Sequence, residues 1–250
     1  MRYDEDLINS SNTTYLDYLK HVYSVLERNY QNEYIFKNTF LNDWLIKELG
    51  MQNSKIFNEF RVGNSVADLV MFNGCSKIFE IKTEFDSDSR LAIQLENYRK
   101  VFNQIFIIIP ESKLYAYNKY DKSIGIITFN PESADRFHLY RDSSLSFDID
   151  HITIMHILHT AEYKAIVKAY YGELPKMTSF NQFQICSHLI SNIPQTELNS
   201  LFISQMKNRE NKNEFSMRYY KEFNQLSLAL RMTKKDRDNM IQNLKTPLQY

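Results

Sequence analysis

Five consecutive apolar residues, Ile105-Phe106-Ile107-Ile108-Ile109, closed by Pro110, constrain this chain more than any other segment. A run that short and that apolar reads as a strand covered on both faces. Upstream, Ile56 to Val62 reads as a strand ending at Gly63-Asn64. Val66 to Phe72 reads as a second, ending at Asn73-Gly74, a strong hairpin signal, and Ile78 to Lys82 as a third. Ser89 is positioned to cap a helix running to about Phe102, with Leu91, Leu95, Tyr98 and Phe102 on one face. Before the meander, apolar spacing predicts helices over 14–30 and 33–49, the latter stopped by Gly50. The order over 33–109 is therefore α-β-β-β-α-β, with further edge strands expected at Tyr115–Tyr117 and Ile124–Phe129.

After about residue 130 the strand signals fade. Ile152–Tyr171, Asn181–Asn192, Gln195–Lys207 and Phe215–Arg231 carry helical spacing. A last helix over Thr233–Asn243 opens on Thr233 with Asp236 three residues on, a capping-box arrangement. The expectation is an α/β core with its N-terminal helices over 1–130 and a mostly helical region over 131–250, used for binding DNA, a protein partner or a second copy. Thirty basic residues balance thirty acidic ones. The charge is uneven, however, since 206–250 carries ten basic residues against five acids. Two cysteines 111 positions apart, Cys75 and Cys186, form neither a disulfide framework nor a zinc motif and suit a reducing cytoplasm. No apolar window approaches the roughly 18 residues of a membrane span, and the acidic start at Asp4-Glu5-Asp6 does not suit a signal peptide.

The chemistry concentrates in Val66-Ala67-Asp68-Leu69-Val70 and Phe79-Glu80-Ile81-Lys82. Strand alternation puts Glu80 and Lys82 on one side and Ile81 on the other. The Asn73-Gly74 turn folds Asp68 back beside Glu80 if the register allows it. Two carboxylates held together repel unless a cation sits between them, and a hard divalent ion takes such carboxylates together with phosphate oxygens. The backbone carbonyl of Ile81 is a further candidate ligand. Lys82 aims a positive charge at the same place, suited to steadying a phosphorane or to helping deprotonate a water. A buried Asp68–Lys82 ion pair would explain two of these residues without catalysis, but not Glu80. On the following helix Gln94 and Tyr98 share a face at i, i+4: Gln94 to orient water or Lys82, Tyr98 to bind a phosphate or simply to pack. Glu33 and Glu59 compete as a third acid.

Asp68, Glu80-x-Lys82 and Gln94-x-x-x-Tyr98, in that order of elements, resemble the PD-(D/E)XK, or restriction-endonuclease-like, superfamily. The string Phe79-Glu80-Ile81-Lys82-Thr83-Glu84-Phe85-Asp86, with Arg90-Leu91 and Gln94, resembles a bacterial subgroup of it. The resemblance covers about residues 30–110, and it departs at Ala67, where the nominal motif has proline. It implies a mixed sheet flanked by helices and Mg²⁺, replaceable by Mn²⁺, held by Asp68 and Glu80. It also implies Lys82 as the catalytic lysine, supporting roles for Gln94, Tyr98 and Glu33, and hydrolysis of phosphodiester bonds.

DNA is the expected substrate, and nothing in the residues separates it from RNA. Arg90, Tyr98, Lys234 and Lys235 are the candidate nucleic-acid contacts, although Arg61, Arg90, Glu84 and Asp86 also read as solvated loop charges. Defence, repair and mobile-element biology would each use such an enzyme. A catalytically silent adaptor or immunity protein is the alternative. His156 and His159, expected on one helix face, lack further ligands at metal spacing. There is no glycine-rich phosphate loop and no nucleophile elbow.

Overall fold

The computed structural model describes residues 13–30, 32–49, 54–209 and 219–248. The chain divides into two compact units, one spanning 50–210 and one joining 1–49 to 211–250. This partition does not follow the division expected at residue 130: the sheet and the helices up to residue 208 share a unit, and the two ends of the chain form the other.

The larger unit is built on a six-stranded mixed sheet whose spatial order is its chain order. Strands β1 (Lys55–Val62), β2 (Ser65–Phe72) and β3 (Ser76–Ile81) form an antiparallel meander. Helix α4 (Leu91–Arg99) then carries the chain over, so that β4 (Gln104–Pro110) lies parallel to β3. β5 (Gly125–Phe129) is parallel to β4, and β6 (Phe137–Arg141) closes the edge antiparallel. Both hairpins of the meander need a glycine. The β1–β2 loop is two residues long, with Gly63 at φ 57°, and the β2–β3 turn places Gly74 at φ 117°.

The apolar run in β4 is buried on both sides, as its composition predicts. Ile105, Ile107 and Ile109 join a core with Phe60, Phe72, Leu95, Phe102 and Phe202. On the opposite side Phe106 is buried and stacks on Phe79, ring centres 5.4 Å apart. Helix α4 and helices α6 (His151–Ile157), α7 (Thr160–Tyr171), α8 (Gln182–Ser191) and α9 (Gln195–Asn208) contribute to the first of these cores.

Several local expectations are corrected. Tyr115–Tyr117 is not a strand but part of the short helix α5 (Leu114–Tyr117). β5 is interior rather than an edge, because β6 covers it; β6 escaped notice because three of its five residues are exposed and leave no alternation to read. Helix α4 starts from Arg90 without a side-chain cap, so Ser89 does not play that part. The helix expected over 152–171 breaks in two. The His159 N–H donates to Glu162 Oε2 (2.7 Å), starting α7 afresh, and Arg209 grips the same carboxylate at 2.5 and 2.6 Å. His156 and His159 therefore sit on different elements.

In the smaller unit, helix α1 (Tyr15–Asn29) is followed by α2 (Glu33–Phe40), which runs through a π-helical turn (Leu41–Leu45) into α3 (Ile46–Leu49). The Gly50 stop lies outside the described residues. Residues 13–15 and 246–248 meet here: Tyr15 N–H donates to the Thr246 carbonyl and Leu248 N–H to the Thr13 carbonyl. Asn38 ties α2 to the tail, donating to Tyr23 Oη (2.8 Å) and the Lys221 carbonyl (3.0 Å) and accepting from Gln225 N–H (2.9 Å). Of the helix expected over 215–231, residues 215–218 lie outside the described residues; the rest is a 3₁₀ turn (Lys221–Phe223) and α10 (Asn224–Ala229). Thr233 and Asp236 form the expected capping box of α11 (Lys234–Leu244). Among the described residues no helix is long and apolar enough to cross a membrane.

Gly125 is a packing requirement of the sheet. A Cβ there would lie 2.4 Å from the ring of its β4 partner Phe106 and 3.0 Å from the Ser143 nitrogen. Gly125→Ala is expected to cost about 1–3 kcal/mol of unfolding free energy, measured by denaturant titration.

Candidate active site

The meander is regular except at one point. In β1, Asn58 and Glu59 separate the core residues Phe57 and Phe60; in β2, Asp68 and Leu69 separate Ala67 and Val70. Two residues intervene where strand alternation supplies one, on both strands, at positions that face each other: Asn58 is opposite Leu69 and Phe60 opposite Ala67. Glu59 takes the distortion in its backbone, with φ 53°, a left-handed conformation that costs a non-glycine residue on the order of 1–3 kcal/mol.

The neighbouring ladder ends at the same place. β2 and β3 pair from Phe72↔Ser76 to Leu69↔Phe79 and then part, while β3 stays with β4 through Ile81↔Ile108. The Ile81 N–H, released from the ladder, donates instead to Asp68 Oδ2 at 2.8 Å. One carboxylate thus replaces a strand-strand hydrogen bond and stands between the separating strands.

Glu80 and Lys82 point from β3 and its extension toward α4. Both are buried, at 2% and 8% exposure. Lys82 Nζ donates to Glu80 Oε1 (3.0 Å) and Gln94 Oε1 (3.2 Å). Gln94 Nε2 donates to Glu80 Oε1 (2.6 Å), and Tyr98 Oη donates to Glu80 Oε2 (2.8 Å). The i, i+4 spacing of Gln94 and Tyr98 is what lets α4 hold both oxygens of one carboxylate. The helix is fixed over the strand by Asn97, whose Nδ2 donates to Ser65 Oγ (2.9 Å).

Burial pushes the Glu80 carboxyl above the usual carboxylate range, and the nearby Asp68 charge adds to this; the Lys82 ammonium and the Tyr98 hydrogen bond draw it back. Burial, then the Glu80 charge, raises the Tyr98 phenol, which keeps it a donor.

A brace lies just beyond Lys82, where the loop charge Asp86 is also a hydrogen-bond acceptor. Thr83 N–H and Oγ1 both donate to Asp86 Oδ2 at 2.7 Å. Burial works against the Asp86 charge, but the Thr83 hydrogen bonds and the nearby Lys82 cation hold its carboxyl below its ordinary value. The Thr-x-x-Asp spacing that marks a helix cap could have disclosed this turn.

Asp68, Glu80, Ile81, Lys82, Gln94 and Tyr98 therefore meet within one unit. Two placements differ from expectation. Tyr98 has no accessible surface and its hydroxyl is committed to Glu80, so it positions that carboxylate and does not meet a phosphate at the surface. Glu33 belongs to the other unit, where it pairs with Lys37 at 2.6 Å. Lys234 and Lys235 are exposed on the first turn of α11 in that unit; Arg90 is exposed at the start of α4. Glu59, the competing acid, is exposed on β1. Among the described residues no three His, Cys, Asp or Glu side chains form a group able to hold a metal ion. Asp68 and Glu80 offer the hard oxygen donors that suit Mg²⁺, and a cation between them would relieve the repulsion that raises Glu80.

Comparison with known proteins gives three findings. The family described as bacteriophage P4 protein cII matches residues 27–242, a stretch containing every candidate residue named above. Protein cII of Enterobacteria phage P4 is 26% identical over 211 residues, covering 80% of this chain and 78% of that protein. A protein of unknown function from Silicibacter pomeroyi aligns in structure with a TM-score of 0.32 at 10% identity, over 51% of this chain and 87% of that one.

Tyr98→Phe is expected to lose about 1–3 kcal/mol of stability at pH above the raised Glu80 value, where the charged carboxylate is left short of a donor. Because the Glu80 pKa is raised on folding, the wild-type carboxyl favours folding below the ordinary carboxylate range, and that contribution is lost as pH rises through the raised value. The Tyr98→Phe penalty should accordingly shrink in acid. Denaturant titrations of both proteins across pH measure it.

Proposed function

The chain belongs to the bacteriophage P4 protein cII family, and we propose that it is a metal-dependent nuclease with a restriction-endonuclease-like core, hydrolysing phosphodiester bonds of DNA. The observation that carries this reading is the convergence of Asp68, Glu80, Lys82 and Gln94 where β2 and β3 part. The α-β-β-β-α-β order along the chain and the mixed sheet support this reading.

In this reading Asp68 and Glu80, with the Ile81 carbonyl, would hold Mg²⁺, for which Mn²⁺ would substitute. Such an ion, when bound, would supply Lewis-acid chemistry at the phosphate. Lys82 brings a cation fixed by Glu80 and Gln94 to the place where negative charge develops on phosphorus. Gln94 holds the Glu80 and Lys82 side chains in register, and Tyr98 fixes Glu80 from behind. Water adds to phosphorus, the bridging P–O bond breaks, and the leaving oxygen takes a proton.

A second reading has its own observation. Each Glu80 oxygen already accepts a hydrogen bond from inside the protein, a satisfied state that a silent, nuclease-like adaptor in a defence or immunity system would also keep. Incubating the purified protein with Mg²⁺, Mn²⁺ or EDTA on single-stranded and duplex DNA and on RNA separates the two. The nuclease reading predicts cleavage that needs metal and falls at least about a thousandfold in Lys82→Ala. Cleavage undiminished by Lys82→Ala contradicts it. Partner binding with no cleavage of any nucleic acid favours the adaptor.

A further inference from the structure

The rim of this site shows how a substrate would be held, an inference that rests on the nuclease reading and adds a substrate class to it. Two loops leave the carboxyl ends of the parallel neighbours β3 and β4, residues 82–90 and 111–120. They are latched together. Ser112 Oγ and Lys113 Nζ donate to Glu84, the first to its carboxylate and the second to its carbonyl (2.5 Å), and Tyr120 Oη donates to Asp88 Oδ2 (3.0 Å). Tyr117 and Tyr120 stack beneath, ring centres 5.6 Å apart.

On this braced rim two aromatic rings stand in solvent. Phe85, three residues after Lys82, is 83% exposed, and Tyr115, on the latched neighbour, is 96% exposed. Loops secured by this many hydrogen bonds do not need either ring for their own packing. The charge of the rim is the second observation. Glu84, Asp86, Asp88 and Glu111 are balanced by Lys82, Arg90, Lys113 and Lys119, so the rim carries no net positive charge. A duplex presents its phosphates outward, about one charge per 1.7 Å of axis, and is bound chiefly through lysine and arginine. A rim with no excess of lysine and arginine offers little for that contact. An unpaired strand offers base faces as well, and stacking on an aromatic contributes about 1–3 kcal/mol per base without sequence preference.

We propose that the substrate is an unpaired DNA strand, held by bases stacked on Phe85 and Tyr115 beside Lys82. One labelled oligonucleotide, as a single strand and as a blunt duplex, tests this against wild type, Phe85→Ala, Tyr115→Ala and Phe85→Trp. Binding is read by anisotropy in EDTA and cleavage in Mg²⁺. The single strand should bind at least about tenfold tighter than the duplex. Each alanine should weaken single-strand binding by about tenfold with thermal unfolding unchanged, and Phe85→Trp should retain it. Duplex binding equal to or tighter than single-strand binding, or alanine variants that bind as wild type, overturns the inference. Lys82-dependent cleavage in that same experiment would still leave the nuclease reading standing. Ring-dependent binding without any cleavage sustains the strand inference and overturns the nuclease reading. Neither binding nor cleavage overturns both.

Discussion

The Glu80 carboxylate is the constraint around which the larger unit is arranged. A carboxylate at 2% exposure is costly unless it is paired and hydrogen-bonded. Here it is both, and each partner comes from a feature that otherwise lacks a reason. Lys82 requires the strand to extend past its ladder, and Gln94 and Tyr98 require α4 to cross at this height; Asp68, which is no partner of Glu80 but holds the Ile81 N–H beside it, sits where β2 breaks its alternation. A buried ion pair of this kind is weak evidence for stability, since apolar residues of similar volume often serve as well. The arrangement makes better sense as a device that fixes the positions of two carboxylates and a lysine.

The local cost is visible beside it. The backbone at Glu59 is left-handed in the middle of a strand, opposite Asp68, and the β2–β3 ladder is given up beyond Leu69. The rest of the sheet absorbs this. β4 is buried on both faces, Phe79 stacks on Phe106, and Asn97 pins α4 to the start of β2. The sheet thus keeps one opened seam, between β2 and the carboxyl end of β3, at the place where the carboxylates and the lysine meet.

Much of this was legible in the residues. Asn73-Gly74 marked the turn, the apolar run marked β4, and Glu80-x-Lys82 with Gln94-x-x-x-Tyr98 marked groups able to meet. What escaped has physical reasons. The placement of Asp68 depends on a break in strand alternation, and no periodicity rule anticipates a break. Tyr98 is the same residue type whether it faces phosphate or core, and only the closure of α4 over β3 decides. β6 is a short, mostly exposed edge strand with no pattern to read. The joining of residues 13–49 to the tail rests on contacts such as Asn38 to Lys221, far apart in sequence. Glu33 is the plainest example: helical spacing located its helix and its i, i+4 partner Lys37, but its membership of the other unit is a tertiary fact.

The central claim is that Asp68 and Glu80 form a cation site where β2 and β3 separate. Calorimetric titration of Mn²⁺ into the wild-type protein and into Asp68→Asn tests it without any substrate. The account predicts binding to the wild type that weakens at least about tenfold in Asp68→Asn while the fold is retained. Absence of binding to the wild type, or equal binding to both, would contradict it.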